Sequence, residues 1–546
     1  MLVSDFVGRT LANLGVGHAF GVVGSGNFEV TNALRAAGVP YLAARHEAGA
    51  ATMADAYARM SDTVAVLTTH QGCGLTNALT GITEAAKSRT PLIALTADTA
   101  GSAVRSNFRV DQDALASAVG AVPERIHSAA TVLDDTLRAY RTAANERRTV
   151  VLNLPLDVAA MPVPDELAAA TARHLPTARP IRPAGEAVEE LAGLLNRSAR
   201  PVFVAGRGAR HAGSELRELA QRCGALLATS AVANGLFTGD PFGIGISGGF
   251  ATPLAAELIS RADVIVGWGC TLNMWTMRHG TLIGRDALVA QVDVEDAALG
   301  ANRPIDLGVL GDVGETAREL SAYLPAAVPG YRSDSVRERI AAEGHWTDVA
   351  FDDLSTPDRI DPRLLTRELD ELLPAQRVVA VDSGNFMGYP SGYLAVPDEF
   401  GFCFTQAFQS IGLGLFTAVG AALARPDRLA VAAVGDGGFL MSIAELETVV
   451  RIGLPMLIVV YNDQAYGAEI HHFGADTDLG AVTFPDTDIA AIARGYGAAG
   501  ATVRTVADLA AVRDWRSAGP TGPLVIDAKI ANDGGSWWLA EAFRGH

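Results

Sequence analysis

The stretch LAVAAVGDGGFLMSIAELETVVRIGLPMLIVVYNDQAYG, residues 429–467, decides the fold. Its first apolar run ends abruptly at Gly435-Asp436-Gly437-Gly438, a helical pattern follows, and a second apolar run ends at Tyr461-Asn462-Asp463. This order predicts a strand, a tight turn, a helix and a second strand. It is a βαβ unit with an acidic residue at the end of each strand.

The two acidic residues are expected to lie near each other, because ligands gather outside the carboxyl ends of the strands in an open parallel sheet. Asp436 and Asp463 would then offer the hard oxygen ligands that suit Mg²⁺. Gly435, Gly437 and Gly438 let backbone N–H groups approach an anion closely. For GDGG alone, a turn with a solvated aspartate is an equally good interpretation. The second strand end favours the metal site.

This pattern resembles the thiamin diphosphate motif, in which Gly-Asp-Gly is followed after a fixed interval by Asn-Asn. The resemblance implies that Asp436, Asp463 and the backbone carbonyl of Ala465 bind Mg²⁺, and that the glycines hold the diphosphate. Asp463 stands where the family has the second Asn. Aspartate is an equally hard oxygen ligand, so we expect Mg²⁺ to bind while the site gains negative charge beside a diphosphate.

Composition excludes some classes of function. The chain has 546 residues, 49% hydrophobic and 19% charged, which predicts three or four domains with large buried cores. A net charge of -18 argues against a nucleic-acid partner, because phosphate backbones need basic patches. No CxxC pattern occurs, so neither a disulfide framework nor a zinc site is expected of the cysteines at positions 73, 223, 270 and 403.

The sequence also predicts a location. The start, MLVSDFVGRTLANLG, lacks a basic region ahead of an apolar block and is therefore no secretory signal. No stretch approaches the ~20 apolar residues that span a bilayer. We expect a soluble, cytoplasmic protein without a membrane partner, and the unpatterned cysteines fit a reducing compartment.

Short apolar strands alternate with helical segments along the whole chain, which predicts an α/β fold. The predicted strands lie in AFGVVG, VAVLTT, PLIALTA and TVVLNLP, then PVFVAGRGA, ALLATS, ADVIVGWG and ALVAQVDV, and finally VVAVD and the opening stretch. A proline-rich segment, 163–183, fits a linker. We expect three doubly wound parallel-sheet domains at 1–165, 184–328 and 355–546. The resemblance implies that the first binds the pyrimidine of the cofactor, that the second is the middle domain and that the third binds the diphosphate.

In the first unit, Arg45-His46-Glu47 opens a helix. A glutamate in a first turn usually only complements the helix dipole. The segment resembles one in thiamin diphosphate enzymes of the acetolactate synthase and decarboxylase group, where this glutamate contacts the aminopyrimidine of the cofactor. The resemblance implies that Glu47 is catalytic, and His46 is interpreted as a structural neighbour.

Other polar residues of this unit resemble pocket residues of the family. Ser25 and His70 match an active-site serine and histidine of benzoylformate decarboxylases, although both could instead cap helices. Gln112 resembles, more weakly, the pocket glutamine of acetolactate synthases. Cys73 stands where many members have proline, and a small buried residue is favoured there over a reactive thiol.

The third unit continues the resemblance ahead of and beyond the opening motif. Its expected cofactor-binding residues outside the GDGG turn are Gly384, Asn385, Gln409, Ile411 and Tyr466, and Ile411 would prop the cofactor into a bent shape. Core packing is the alternative role of Ile411. Beyond the second strand, the residues at positions that vary with substrate in relatives are Ala468, Glu469 and His472.

The middle unit lacks a dinucleotide fingerprint. Gly206-Arg207-Gly208-Ala209-Arg210-His211 has His211 where the third glycine would be needed. The segment after VIVGWG does not match the FAD-binding segment of acetolactate synthases, so FAD is doubtful. A structural middle domain without a cofactor is the favoured interpretation.

The resemblance covers almost the whole chain, from Ser25 to His472. It implies a thiamin diphosphate- and Mg²⁺-dependent enzyme that decarboxylates a 2-keto acid and, through an enamine, joins the product to a carbonyl acceptor to give a 2-hydroxy ketone. It also implies a homodimer or homotetramer with the cofactor between the first domain of one subunit and the third of another. Simple decarboxylation, as in benzoylformate decarboxylases, is the alternative. A catalytically silent cofactor-binding homologue is a third possibility, against which the intact Glu47 argues.

Overall fold

A computed structural model describes residues 1–168, 179–325, 327–474 and 476–542 of the chain. The strands of the first sheet are β1 (His18–Gly21), β2 (Tyr41–Ala43), β3 (Ala65–Thr69), β4 (Leu92–Asp98), β5 (Val122–Arg125) and β6 (Thr149–Pro155). Its helices are α1 (Val3–Asn13), α2 (Phe28–Ala36), α3 (Glu47–Ser61), α4 (Cys73–Lys87), α5 (Gln112–Ala118), α6 (Val132–Asn145), α7 (Leu156–Ala159) and α8 (Asp165–Ala168). Neighbouring strands are parallel, in the order β2-β1-β3-β4-β6-β5.

The second sheet has a different order. Its strands are β7 (Pro201–Ala205), β8 (Leu226–Thr229), β9 (Gly243–Ile246), β10 (Val264–Trp268), β11 (Leu288–Asp293) and β12 (Leu307–Leu310). Its helices are α9 (Gly185–Arg197), α10 (Gly213–Cys223), α11 (Pro253–Ser260) and α12 (Val313–Ser321), and α13 (Asp334–Glu343) follows. The parallel order β12-β11-β10-β7-β8-β9 is that of a dinucleotide-type fold, with its switch point between β7 and β10.

The third sheet repeats the order of the first. Its strands are β13 (Arg377–Val381), β14 (Phe402–Phe404), β15 (Leu429–Gly435), β16 (Met456–Asn462), β17 (Ala499–Val503) and β18 (Leu524–Lys529). Its helices are α14 (Pro362–Leu372), α15 (Gly388–Tyr393), α16 (Gly414–Ala424), α17 (Asp436–Ser442), α18 (Ala444–Arg451), α19 (Gly467–Phe473), α20 (Ile489–Gly495), α21 (Ala510–Ser517) and α22 (Trp537–Ala542). The order β14-β13-β15-β16-β18-β17 is again all parallel.

The opening stretch lies in the interior of this sheet and is buried on both faces. In β15, Val431 and Ala433 pack into one apolar cluster, while Ala432 and Val434 pack into another on the opposite face. Two-sided burial is why parallel strands are continuous apolar runs in sequence. The prediction of three α/β domains with parallel sheets is therefore confirmed.

The first and third domains are joined by a close helix crossing. Helix α3 packs against α16, and a Cβ added at Gly420 would lie 2.2 Å from the carbonyl oxygen of Met53. Only a glycine permits this approach of the two backbones. Residues of both domains therefore share a single apolar cluster.

The predicted domain limits, 1–165, 184–328 and 355–546, remain predictions. Part of the predicted linker at 163–183 lies outside the described residues. Among the helices that the structure describes, none has the length and apolar character needed to cross a bilayer.

The helix crossing predicts a measurable stability difference. Gly420→Ala should lower the free energy of unfolding by about 1–3 kcal/mol, because the added methyl meets backbone rather than a movable side chain. Gly495→Ala, in α20, is the matched control, since a Cβ there meets nothing within 4 Å and should change stability by less than about 1 kcal/mol. Urea unfolding followed by tryptophan fluorescence measures both. Equal effects of the two substitutions would contradict the proposed contact.

Candidate functional site

Two carboxylates meet at the carboxyl ends of β15 and β16. The strands pair with Gly435 opposite Tyr461, so the residues that follow them, Asp436 and Asp463, come together. Burial raises the pKa of Asp436, and burial together with the neighbouring charge of Asp436 raises the pKa of Asp463. Two neighbouring carboxylates whose ionisation is disfavoured by burial form a site that a divalent cation would stabilise.

The backbone after β16 turns Asp463 toward this site. Asn462 points the other way, because its amide donates to Asp527 Oδ1 at 2.8 Å in the neighbouring strand. Gln464 has a left-handed φ of 63°, and the backbone N–H of Ala465 donates to Asp463 Oδ1 at 3.1 Å. Asp463 and not Asn462 is therefore the side chain available to a metal.

Glycines make the space beside the two carboxylates. A Cβ at Gly438 would lie 2.3 Å from Asp382 Oδ2, and one at Gly437 would lie 2.6 Å from the ring of Tyr466. At Gly467, a Cβ would lie 2.2 Å from Asp463 Oδ2. These positions accept no larger residue. The donor set and the glycine surface fit a diphosphate and its Mg²⁺.

Asp382 organises the neighbouring turn and was not predicted as a site residue. Its carboxylate accepts from the backbone N–H groups of Gly412, at 3.0 Å, and Leu413, at 3.2 Å. Burial raises its pKa to about 7, although these backbone donors oppose the shift. The turn that it holds carries Gln409, with a left-handed φ of 61°, and Ile411, whose side chain is 37% exposed. An aspartate at a strand end was the only signal for this role.

A cavity of about 250 Å³ adjoins Asp463. The lining includes the predicted residues Asn385, Asp463 and Ala465, and it also includes His471 and Asp533. The predicted pocket residues on α19 do not line it: Ala468, Glu469 and His472. Because neighbouring residues of a helix point in different directions, the wall is formed by His471 and not by His472. Nothing in the local sequence distinguished the two.

Residues 530–533, near the end of the described chain, form part of the cavity wall. Asp533 accepts a hydrogen bond from Tyr389, and Ser536 donates to the side chain of Asn385. On the other side, Arg359 donates to Gln464 Oε1 at 2.7 Å. Every residue that lines the cavity belongs to the third domain or to the segment just before it.

The first domain presents a separate polar group. Glu47 begins α3, with His46 capping the helix through a bond from the backbone N–H of Ala48 at 3.1 Å. Asn77 Nδ2 donates to Glu47 Oε2 at 3.1 Å. Glu47 therefore has a fixed partner in its own domain, and it does not line the third-domain cavity of the described chain.

Ser25 and His70, each predicted as a pocket residue, lie beside each other. His70 Nδ1 lies 2.9 Å from the carbonyl oxygen of Gln71, so that nitrogen carries the proton, since a carbonyl can only accept. His70 Nε2, 3.5 Å from Ser25 Oγ, is then placed to accept from the hydroxyl. The ring of Phe108 packs edge-on against His70 with 4.9 Å between centroids.

Gln112 is buried, and its amide is fully engaged within the first domain. Its oxygen accepts from the backbone N–H of Gly72 at 2.8 Å. Its nitrogen donates to the carbonyl of Ala97 at 3.1 Å and to Asn153 Oδ1 at 2.7 Å. These bonds hold the turn at Gly72, where φ is 64°. A direct role of Gln112 in a substrate pocket stays a prediction.

The switch point of the middle domain is closed by its own backbone. Gly208 N donates to the carbonyl of Gly269 at 3.1 Å, and a Cβ at Gly206 would lie 2.2 Å from that same oxygen. A 3₁₀ helix, Arg207–Ala212, follows β7 where a dinucleotide fold begins a longer helix. The absence of FAD from the middle domain stays a prediction.

Comparisons with known proteins bear on all three domains. Family models described as the thiamine pyrophosphate enzyme N-terminal TPP binding domain, central domain and C-terminal TPP binding domain match residues 1–117, 188–320 and 382–528.

Three similar proteins match over most of the chain at modest identity. A sulfoacetaldehyde acetyltransferase from Roseovarius nubinhibens is 27% identical over 98% of this chain and 92% of its own length. A probable 2-ketoarginine decarboxylase from Pseudomonas aeruginosa is 29% identical, covering 96% and 93%. A probable acetolactate synthase large subunit from Methanocaldococcus jannaschii is 25% identical, covering 84% and 80%.

The paired carboxylates predict a pH-dependent effect in the metal-free protein. A carboxyl whose pKa is raised on folding destabilises the folded state above its ordinary pKa, and less so as the pH falls. Asp463→Asn should therefore raise the Tm of the metal-free protein at pH 8 by roughly 2–4 °C, the shift that about 1 kcal/mol produces, and by less at pH 5. Calorimetry with EDTA measures this. The exposed Asp514, changed to Asn, is the control and should show no such pH dependence. An unchanged Tm in Asp463→Asn would contradict the raised pKa of Asp463.

Proposed function

Because the chain belongs to the thiamine pyrophosphate enzymes, we propose that it removes CO₂ from a 2-keto acid and joins the remaining acyl group to a carbonyl acceptor. The product is a 2-hydroxy ketone, and thiamin diphosphate and Mg²⁺ are required. The observation that carries the proposal is the meeting of Asp436 and Asp463 beside a surface that only glycines allow. An intact Glu47 in the first domain supports catalysis over mere binding.

The residues present would divide the work as follows. Asp436, Asp463 and the carbonyl of Ala465 would bind Mg²⁺, and backbone groups around Gly384 and Gly437 would bind the diphosphate. When bound, thiamin diphosphate supplies the carbon nucleophile and the electron sink that decarboxylation needs.

The first domain would supply the acid–base group. Glu47, oriented by Asn77, would hold a proton at a nitrogen of the aminopyrimidine. Ile411 of the third domain is partly exposed, and its apolar side chain would support the bound cofactor. Gln112 would act indirectly by holding the turn at Gly72.

The names of two similar proteins favour transfer of the acyl group to an acceptor over its release as an aldehyde. An acetyltransferase and an acetolactate synthase both carry names for joining reactions. The second candidate, simple decarboxylation to an aldehyde, is supported by the Ser25–His70 pair and by the probable 2-ketoarginine decarboxylase. A hydroxyl and an imidazole at bonding distance could deliver the proton that an aldehyde product needs.

We propose that the minimal working unit is a homodimer, two of which could assemble into a homotetramer. Glu47 and the third-domain cavity are separate half-sites in one chain, so a second copy would complete both. Large apolar side chains are exposed on both domains, at Phe28 and Phe108 on the first and at Met441 and Phe473 on the third. Such exposure is typical of surfaces that another chain covers.

The proposal extends to domain limits, location and the middle domain. We assign the pyrimidine-binding domain to 1–165, the middle domain to 184–328 and the diphosphate-binding domain to 355–546. The four cysteines are free thiols, which supports a cytoplasmic location. The closed switch point supports a middle domain that works without FAD.

The reaction is tested by a product screen. Purified protein with thiamin diphosphate and Mg²⁺ is incubated with pyruvate or aromatic 2-keto acids, with and without aldehyde acceptors, and products are identified by mass spectrometry. Glu47→Gln should reduce CO₂ release by about 10²–10⁴-fold, the usual contribution of a positioned acid–base group. Full activity of Glu47→Gln would overturn the assigned role. Aldehydes as sole products, whatever the acceptor, would replace joining by simple decarboxylation.

The shared site is tested by mixing two inactive variants. Glu47→Gln and Asp436→Ala spoil opposite half-sites, so a mixed dimer of the proposed kind contains one intact site and one doubly altered site. Random reassociation of equal amounts should restore about a quarter of the parent activity. If each chain builds its own complete site, the mixture stays inactive. Size-exclusion chromatography with light scattering checks that exchange has occurred.

A further inference from the structure

The segment that leads into Glu47 is held by a helix of the third domain. Residues 43–47, from the end of β2 to the start of α3, contact α18. Glu445 Oε1 accepts from the backbone N–H of Arg45 at 2.8 Å and from that of His46 at 2.9 Å. Arg451, also on α18, donates to the carbonyl of Ala43 at 2.6 Å. The backbone immediately before Glu47 is thus bound to another domain, 400 residues away in sequence.

Glu445 is placed for this contact by its own surroundings. The residue is fully buried, and its other oxygen accepts from the hydroxyl of Thr448 at 2.5 Å. Its bonding partners in the described chain are backbone amides and a hydroxyl, and no arginine or lysine forms an ion pair with it. A buried carboxylate held in this way has a fixed position, because moving it would leave a charged group without its donors.

The first turn of α3 rests on the same oxygen. A Cβ added at Gly49 would lie 2.8 Å from Glu445 Oε1. One carboxylate oxygen therefore determines the backbone position on both sides of Glu47. The side chain of Glu47 points elsewhere, to Asn77. Glu445 therefore fixes the position of the backbone that carries Glu47, whereas the carboxylate of Glu47 is bonded to Asn77.

We propose that Glu445 is the positioning residue for Glu47: the third domain sets, through this one carboxylate, where the first domain presents its acid–base group. The inference rests on the proposed function of Glu47. Helix α18 follows α17, which begins with the proposed metal ligand Asp436. Two consecutive helices would therefore bear on the metal site of their own domain and on the glutamate of the other half-site in the same chain.

Three substitutions separate positioning from simple adhesion between domains. Glu445→Ala removes the acceptor. Glu445→Gln keeps it, because the amide oxygen can accept from both backbone N–H groups while the amide nitrogen donates to Thr448. Glu447→Ala is the matched control on the same helix, since Glu447 pairs with the exposed side chain of Arg45 and with Arg451 and makes no bond to the backbone before Glu47. Arg451 keeps its donor group for the carbonyl of Ala43 in this variant.

Two measurements on the full chain report positioning. In the protein without cofactor, amide hydrogen exchange of the peptide that contains residues 43–48 should be at least tenfold faster in Glu445→Ala and near the parent rate in the Gln and Glu447→Ala variants. With thiamin diphosphate and Mg²⁺ bound, deuterium exchange at C2 of the cofactor, followed by quenched-flow NMR, should slow at least tenfold in Glu445→Ala alone. Cofactor affinity, measured by tryptophan fluorescence, should change little.

The outcomes distinguish a failure of the positioning role of Glu445 from a failure of the proposed function. If Glu47→Gln slows C2 exchange and Glu445→Ala does not, the positioning role is wrong while the proposed function stands. If Glu47→Gln has no effect, the proposed function itself fails. Should Glu445→Ala not fold, Gly49→Ala replaces it: the added methyl displaces the same contact, and an unchanged C2 exchange rate in that variant would overturn the inference.

Discussion

The burial of two neighbouring carboxylates is the constraint around which this structure is arranged. Adjacent parallel strands bring Asp436 and Asp463 to one edge of the sheet, where burial raises the pKa of both and the charge of Asp436 raises that of Asp463 further. The fold tolerates this because the surrounding glycines leave room for the cation and the diphosphate that would offset the charge.

A second constraint follows from how the domains are joined. The crossing of α3 and α16 fixes the first domain against the third through a backbone contact at Gly420. In that arrangement, Glu47 and the cavity beside Asp463 do not form one site within the chain. Across this domain contact, Glu445 of the third domain accepts from the backbone N–H groups of Arg45 and His46, immediately before Glu47 in the first domain.

Whether a strand could be predicted from the sequence depended on how fully that strand is buried. The strands found from sequence are interior strands, such as β7, β10 and β15, which are buried on both faces and form unbroken apolar runs. The edge strands of each sheet were not found: β2, β5, β9, β12, β14 and β17. They are short or alternate with exposed positions, so their sequences do not differ from loops. Strand β18 was missed for another reason, since its buried Asp527 and Lys529 form an ion pair that interrupts the apolar pattern.

The sequence by itself determined the three α/β units, the paired acids at strand ends and the glutamate at the start of α3, because each depends on neighbours along the chain or on a motif of set spacing. Only the tertiary structure decided that His471 and not His472 lines the cavity, that the amide of Gln112 is fully engaged, and that Glu445 holds Arg45 and His46. These facts depend on helix rotation and on hydrogen bonds between distant segments. No local pattern encodes a contact whose two sides lie 400 residues apart, since it forms only after two domains have packed.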